Sequence, residues 1–187
     1  MKTGAKIIIA VLAIAAIIGM YAVSGYNKVV TMDETVKNQW AQVENQLKRR
    51  YDLIPNLVAT VKGYASHEKG VFDDIANART KYFQANGVKE KIDASNQLEG
   101  ALSRLLMLKE AYPELKANEN FLKLQDSLEG TENRIAVERK RYNDAVLALN
   151  AYIRTFPGMF YARLAGVSQA QYYKTPKQEQ EAPQVKF

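Results

Sequence analysis

The 187-residue chain has no cysteine, one histidine and one tryptophan. The missing cysteine excludes disulfides, thiolate metal ligands, cysteine nucleophiles and the lipidated cysteine of a bacterial lipoprotein. The single histidine, His67 in "HEKGV", lacks the second histidine of a zincin, so no metal site is expected. It reads instead as an exposed residue near a helix end, where positive charge suits the helix dipole. No glycine-rich phosphate loop is present, and no cofactor is expected. Asp73–Asp74 is the one pair of adjacent aspartates. Neighbours on a helix splay by about 100° and do not converge on one substrate atom. No catalytic residue is assigned, and the chain is not expected to be an enzyme.

Also missing is any stretch alternating with period two, so no sheet is expected. The formal net charge is +6. Apart from "KRR" at 48–50, the basic residues are interspersed with acids, as on a solvated helix face. Lipid headgroups are the expected partner for the surplus; nucleic acid is not expected.

What the chain does have is apolar length. From Ile7 to Val23 there are 17 uncharged, almost wholly apolar residues. As a helix they span about 25 Å, and Ser24-Gly25-Tyr26 carries the segment into the interface. Tyr21 and Tyr26 suit an aromatic belt. Ala22 and Ser24 also stand at the small-residue positions of a signal-peptide cleavage site, but the run exceeds a usual signal core. A retained single-pass anchor is therefore expected. Lys2 and Lys6 before the span, weighed against Lys28 and Lys37 after it, place the amino terminus in the cytoplasm and the remaining chain outside the membrane.

Beyond Asn27, helical periodicity dominates. Phe121, Leu128, Ile135, Tyr142, Leu149 and Phe156 are seven apart, with Leu124, Thr131, Glu138, Ala145 and Tyr152 three residues on. This stripe predicts one long helix from a cap at Asn118 to just before Pro157. In the first half Val29, Val36 and Val43 step by seven, as do Trp40, Leu47, Ile54 and Val61. The phase passes through Pro55 without resetting, so a helix from about Asn27 to Ser66, kinked at Pro55, is expected. Two shorter helices lie between. One is closed by Asn86-Gly87 and carries Phe72, Ile75, Ala76, Arg79, Tyr82 and Phe83 on one side. The other runs from Val88 to about Ala111 and stops at "YPEL". The expected fold is all-α: an N-terminal transmembrane helix, then an elongated antiparallel up-down four-helix bundle. The divisions are an anchor at 1–26, a bundle at 27–156, a membrane-proximal amphipathic segment at 157–173 and a flexible tail at 174–187. Val185 and Phe187 offer an extended docking peptide within that tail.

If Asn27 lies level with Arg154, Arg50 falls near Glu132 and Pro55 near Leu128. Arg50, Thr131, Glu132 and Glu138 then form a polar layer inside the bundle, with Arg50 paired to Glu132 or Glu138. Such a layer is read as a register-fixing ion pair, or as arginines snorkelling to water, in preference to a site. At the other end, Phe156, Met159, Phe160, Tyr161, Arg163, Leu164 and Tyr172–Tyr173 suit a short amphipathic helix from Gly158 to Ala165, either in the headgroup region or packed back on the bundle base.

The stretches "WAQVENQLKRRYDLIPNLVATVKGYASHE", "AYPELKANENFLKLQDSLEGTENRIAVERKRYNDAV", "FPG" at 156–158 and "APQVKF" closely resemble the LemA family of bacterial membrane proteins. The resemblance covers nearly everything after Tyr26. It implies an N-terminal anchor and a helical bundle, and it carries over no catalytic residue. Members are associated with membrane proteases or membrane remodelling, and one relative with magnetosome formation. The reading is thus a membrane-anchored, non-enzymatic scaffold of the bacterial envelope whose partners are the lipid bilayer and further copies of itself. The alternative is an adaptor for a membrane protease or other membrane complex.

Overall fold

The computed structural model describes residues 2–174; Val185, Phe187 and the expected tail beyond Lys174 lie outside the described residues. Among the described residues every regular element is a helix. In chain order they are α1 (Lys2–Lys62), α2 (Lys69–Gln84), α3 (Val88–Ala111), the single turn α4 (Pro113–Lys116), α5 (Glu119–Arg154) and α6 (Gly158–Ala165). Backbone proximity divides the described chain into two compact units: residues 2–40 with 141–170, and residues 41–140 with 171–174.

α1 differs from expectation at both ends. It runs from Lys2 without a boundary at 26/27, so the apolar run and the following helix are one element. No proline lies between Ile7 and Val30 to interrupt it. It ends at Lys62, not Ser66, because Gly63 opens a turn in which the Tyr64 and Ala65 amides both return to the Val61 carbonyl. Pro55 sits inside the helix on its exposed side, while Tyr51, Ile54 and Leu57 around it are buried. The helix runs on because the apolar stripe keeps its grip on the core past the lost amide donor.

α5 starts at its expected cap: the Asn118 Oδ1 accepts the Phe121 amide at 2.9 Å. Phe121, Leu128, Ile135, Tyr142 and Leu149 are buried. Phe156 falls beyond the helix end and is exposed. Of the second series only Thr131 is fully buried; Arg139, Val146 and Ile153 go deeper than Glu138, Ala145 and Tyr152. The 3.6-residue turn widens the buried face on that side.

In the first unit, Lys28 of α1 lies over the Tyr152 ring of α5 at 4.5 Å, and Trp40 meets Tyr142 at 5.4 Å between centroids. In the second unit, Arg50 meets Glu132 and Tyr64 meets Asn118. Within each unit, α1 and α5 therefore run antiparallel, in the register expected from the stripe. α2 and α3 pack as a helical hairpin, pinned by Arg104 to Asp74 at 2.7 Å and Lys81 to Gln97 at 3.0 Å. α2 buries Phe72, Ile75, Ala78 and Tyr82, leaving Ala76, Arg79 and Phe83 exposed. The expected face was too wide, and Arg79 instead covers the outer Phe83 ring at 5.2 Å. Pro113, which stops α3, opens α4, whose Leu115 is fully buried.

Candidate functional site

The second unit encloses a layer of charge. Arg50 enters it because its place on α1, between Leu47 and Ile54, lies in the buried stripe. Its Nη1 sits 2.8 Å from Glu132 Oε2. Seven residues further along α5, Arg139 donates from Nη2 to Glu99 Oε2 of α3 at 2.9 Å. Its Nη1 reaches Glu132 Oε1 at 3.7 Å. Glu132 thus links two guanidiniums, and the two arginines and two glutamates balance in charge. Tyr173, from the segment after α6, lays its ring 4.6 Å from the Arg139 guanidinium and donates its hydroxyl to Ser95 Oγ at 2.9 Å. The Asn96 side-chain amide holds the Lys174 carbonyl at 3.0 Å.

The electrostatics follow from burial and pairing. Burial pushes the Glu132 carboxyl above its ordinary range; Arg50 opposes this and Glu99 adds to it. Burial works against the Arg139 charge, but Tyr173, Glu99 and Glu132 together outweigh it, and the guanidinium is held more firmly charged than usual. Burial raises the Tyr173 hydroxyl and pushes that of Tyr142 up to about 12.

Beside Arg50 a cavity of about 290 Å³ is bordered by Glu99, Glu129, Glu132, Ser103 and Gln125 together with leucines. Of its charged groups, Arg50 and Glu132 pair with each other and Glu99 pairs with Arg139. Among the described residues no group of three or more His, Asp or Glu side chains is placed to hold a metal ion.

Of the expected layer, Arg50 and Glu132 come together. Thr131 is buried but bonds the Leu128 carbonyl of its own helix at 2.7 Å, and Glu138 is half-buried on α5. Arg139, Glu99, Ser95 and Tyr173 were not expected. A signal for Glu99 existed: it interrupts the Ile92, Ser95, Leu98, Leu102 stripe. Arg139 likewise falls between Ile135 and Tyr142 on the buried side. Tyr173, the last residue of the segment expected at 157–173, is 3 % exposed and bonds Ser95 of α3. A residue in irregular chain carries no periodicity to place it.

The first unit holds the second candidate surface. Residues Ile7 to Val23 of α1 pack against nothing, and α1 is long and apolar enough to cross a membrane. Gly25 is the first buried position beyond them. A Cβ there would meet Tyr161 Cε2 at 2.0 Å, so the absence of a side chain is what seats the Tyr161 ring on α1. α6 spans the expected residues and buries Gly158 and Ala162, with Tyr161 half-buried. A Cβ on Gly158 would meet the Tyr152 carbonyl oxygen at 2.1 Å. Gly166, at φ 67, ends α6, with the Val167 amide returning to the Ala162 carbonyl. Asn150 then clasps the Ala170 backbone, accepting its amide and donating to its carbonyl, both at 2.9 Å. Phe156, Met159, Phe160, Arg163 and Leu164 remain exposed.

The LemA family model matches residues 39–187. The chain is 26% identical to magnetosome protein MamQ 2 of Paramagnetospirillum magneticum, over 91% of this chain and 72% of that protein. It is 24% identical to magnetosome protein MamQ of Magnetospirillum gryphiswaldense, over 79% of this chain and 64% of the relative. It is also 22% identical to Protein LemA of Metamycoplasma hominis, over 70% and 60% of the two chains. With a family model covering most of its length and an apolar N-terminal helix, this membrane-associated chain belongs to the LemA family.

Proposed function

We propose that the protein is a membrane-anchored, non-enzymatic helical scaffold of the bacterial envelope that associates with copies of itself. The observation that carries this reading is the continuity of α1. One helix is unburied and apolar from Ile7 to Val23 and then, without a break, buries a stripe from Val29 to Val61. In this reading α1, α2, α3 and α5 form the up-down-up-down four-helix bundle, which stands outside the cytoplasm. The polar layer of Arg50, Glu132, Arg139 and Glu99 sets its register.

Large apolar side chains also remain exposed along α5, at Leu122, Val137 and Leu147, available to a neighbouring copy. The test is the mass and composition of the complex extracted from native membranes in mild detergent. Multiples of this chain alone are expected. A second protein at fixed ratio would replace the scaffold with an adaptor for a membrane protease or another membrane complex. A strict monomer would refute self-association.

A further inference from the structure

The structure assigns α6 to the headgroup region of the same bilayer that α1 crosses, where its outer face takes anionic phospholipid. This inference rests on the reading of α1 as a membrane span. Three independent observations carry it.

The first is position. Tyr161 seats α6 on Gly25, two residues past Val23, the last of the apolar run. Two residues of helix advance about 3 Å, so the seat lies at the edge of the hydrocarbon, not deep in water. The Cβ-free surface at Gly25 fixes that height, because any side chain there would displace the Tyr161 ring.

The second is polarity. A short helix packed on a soluble domain turns its large apolar residues inward. α6 does the reverse: its buried positions are Gly158 and Ala162, while Met159, Phe160 and Leu164 face outward, as does Phe156 just before it. Phe160 and Leu164 stand four apart on α6 and share a face, and the ring of Phe156, just before the helix, meets that of Phe160 edge to face at 5.7 Å. Apolar residues of this kind insert about 5–10 Å at the boundary between headgroups and acyl chains.

The third is charge. Lys28, Arg154 and Arg163 are exposed in this unit. No aspartate or glutamate occurs at positions 1–32 or 145–170, the two segments that build this end. Acid-free cationic surface around an apolar patch complements an anionic leaflet. A second copy of the chain would gain from the apolar residues but be repelled by the like charge.

The absence of cysteine makes the test clean. Single-cysteine variants Ile14→Cys, Leu164→Cys and Ala148→Cys of the full chain are labelled with an environment-sensitive fluorophore. They are reconstituted in phosphatidylcholine–phosphatidylglycerol vesicles with and without brominated acyl chains. Met159→Cys repeats the α6 measurement with Leu164 intact. The expected result is a blue shift and bromine quenching at Ile14, Leu164 and Met159, with Ala148 in water. Omitting phosphatidylglycerol, or adding Arg163→Gln, should weaken quenching at α6 severalfold without changing it at Ile14. Quenching at Ile14 with an aqueous α6 would overturn this inference and leave the anchor standing. A blue shift at α6 without quenching would mean that protein, not lipid, covers the face, and would also overturn it. Quenching at Ala148 as well would refute a specific seat. No quenching at Ile14 would bring down the anchor reading itself.

Discussion

Replacing Arg139 with methionine tests whether the charge layer holds the second unit together. Arg139 is 7 % exposed and Glu99 is 8 % exposed, at 2.9 Å from each other. Methionine roughly keeps the length of the side chain but leaves the Glu99 carboxylate without its partner in the interior. Breaking a buried pair from one side costs about 3–5 kcal/mol. Losing the cation from the Tyr173 ring adds about 1 kcal/mol. Against a total stability of about 5–15 kcal/mol, this is a large fraction. Urea unfolding of the detergent-solubilised full chain, followed by circular dichroism at the helical band, measures it. At a slope of about 2 kcal/mol per molar, the midpoint should fall by about 2 M. Glu99→Leu combined with Arg139→Met removes both charges and should recover most of the loss, because an apolar replacement of a buried pair is often neutral or better. A single-variant loss below about 1 kcal/mol, the size of an exposed pair, would refute the reasoning. So would a double variant no better than the single one.

Asn118→Ala should cost about 1 kcal/mol through loss of the α5 cap, and the Phe121 amide should exchange faster with solvent. Unchanged Phe121 exchange would show that the cap does not hold that turn. The Glu132 carboxyl is raised above its ordinary 4.5 by burial, so the folded chain binds its proton at higher pH than the unfolded chain does. Stability should therefore fall as pH rises from 4.5 through the folded value, and Glu132→Gln should flatten that slope. Equal slopes in the two proteins would remove burial of this group as the cause. Gly158→Ala should destabilise the first unit by about 1–3 kcal/mol, since its Cβ meets the backbone oxygen of Tyr152, and trypsin should cut faster after Arg154 or Arg163. Gly70→Ala, with open space around the new Cβ, should leave this cleavage unchanged.

Much of this molecule is legible in one dimension because helical packing repeats. The seven-residue steps of Phe121 to Leu149 and of Trp40 to Val61 specify which faces are buried. Opposing two such stripes leaves few registers, which is how Arg50 and Glu132 come to be expected neighbours. The N-cap at Asn118, the limits of α3 and α6, and the passage of α1 through Pro55 are equally local, set by caps, turns and phase. The apolar run from Ile7 to Val23 follows from composition alone. Tertiary structure alone decided the rest. Glu99 and Arg139 meet only because the α3 stripe faces that of α5, and Tyr173 joins them from irregular chain that carries no period. In α6 the sequence left two orientations open. Its outward apolar face was decided by three small-scale fits that no pattern announces: Tyr161 on Gly25, Gly158 under the Tyr152 carbonyl and Asn150 clasping Ala170. Periodicity encodes which side of a helix is buried, but only close packing between chain segments distant in sequence determines what it is buried against.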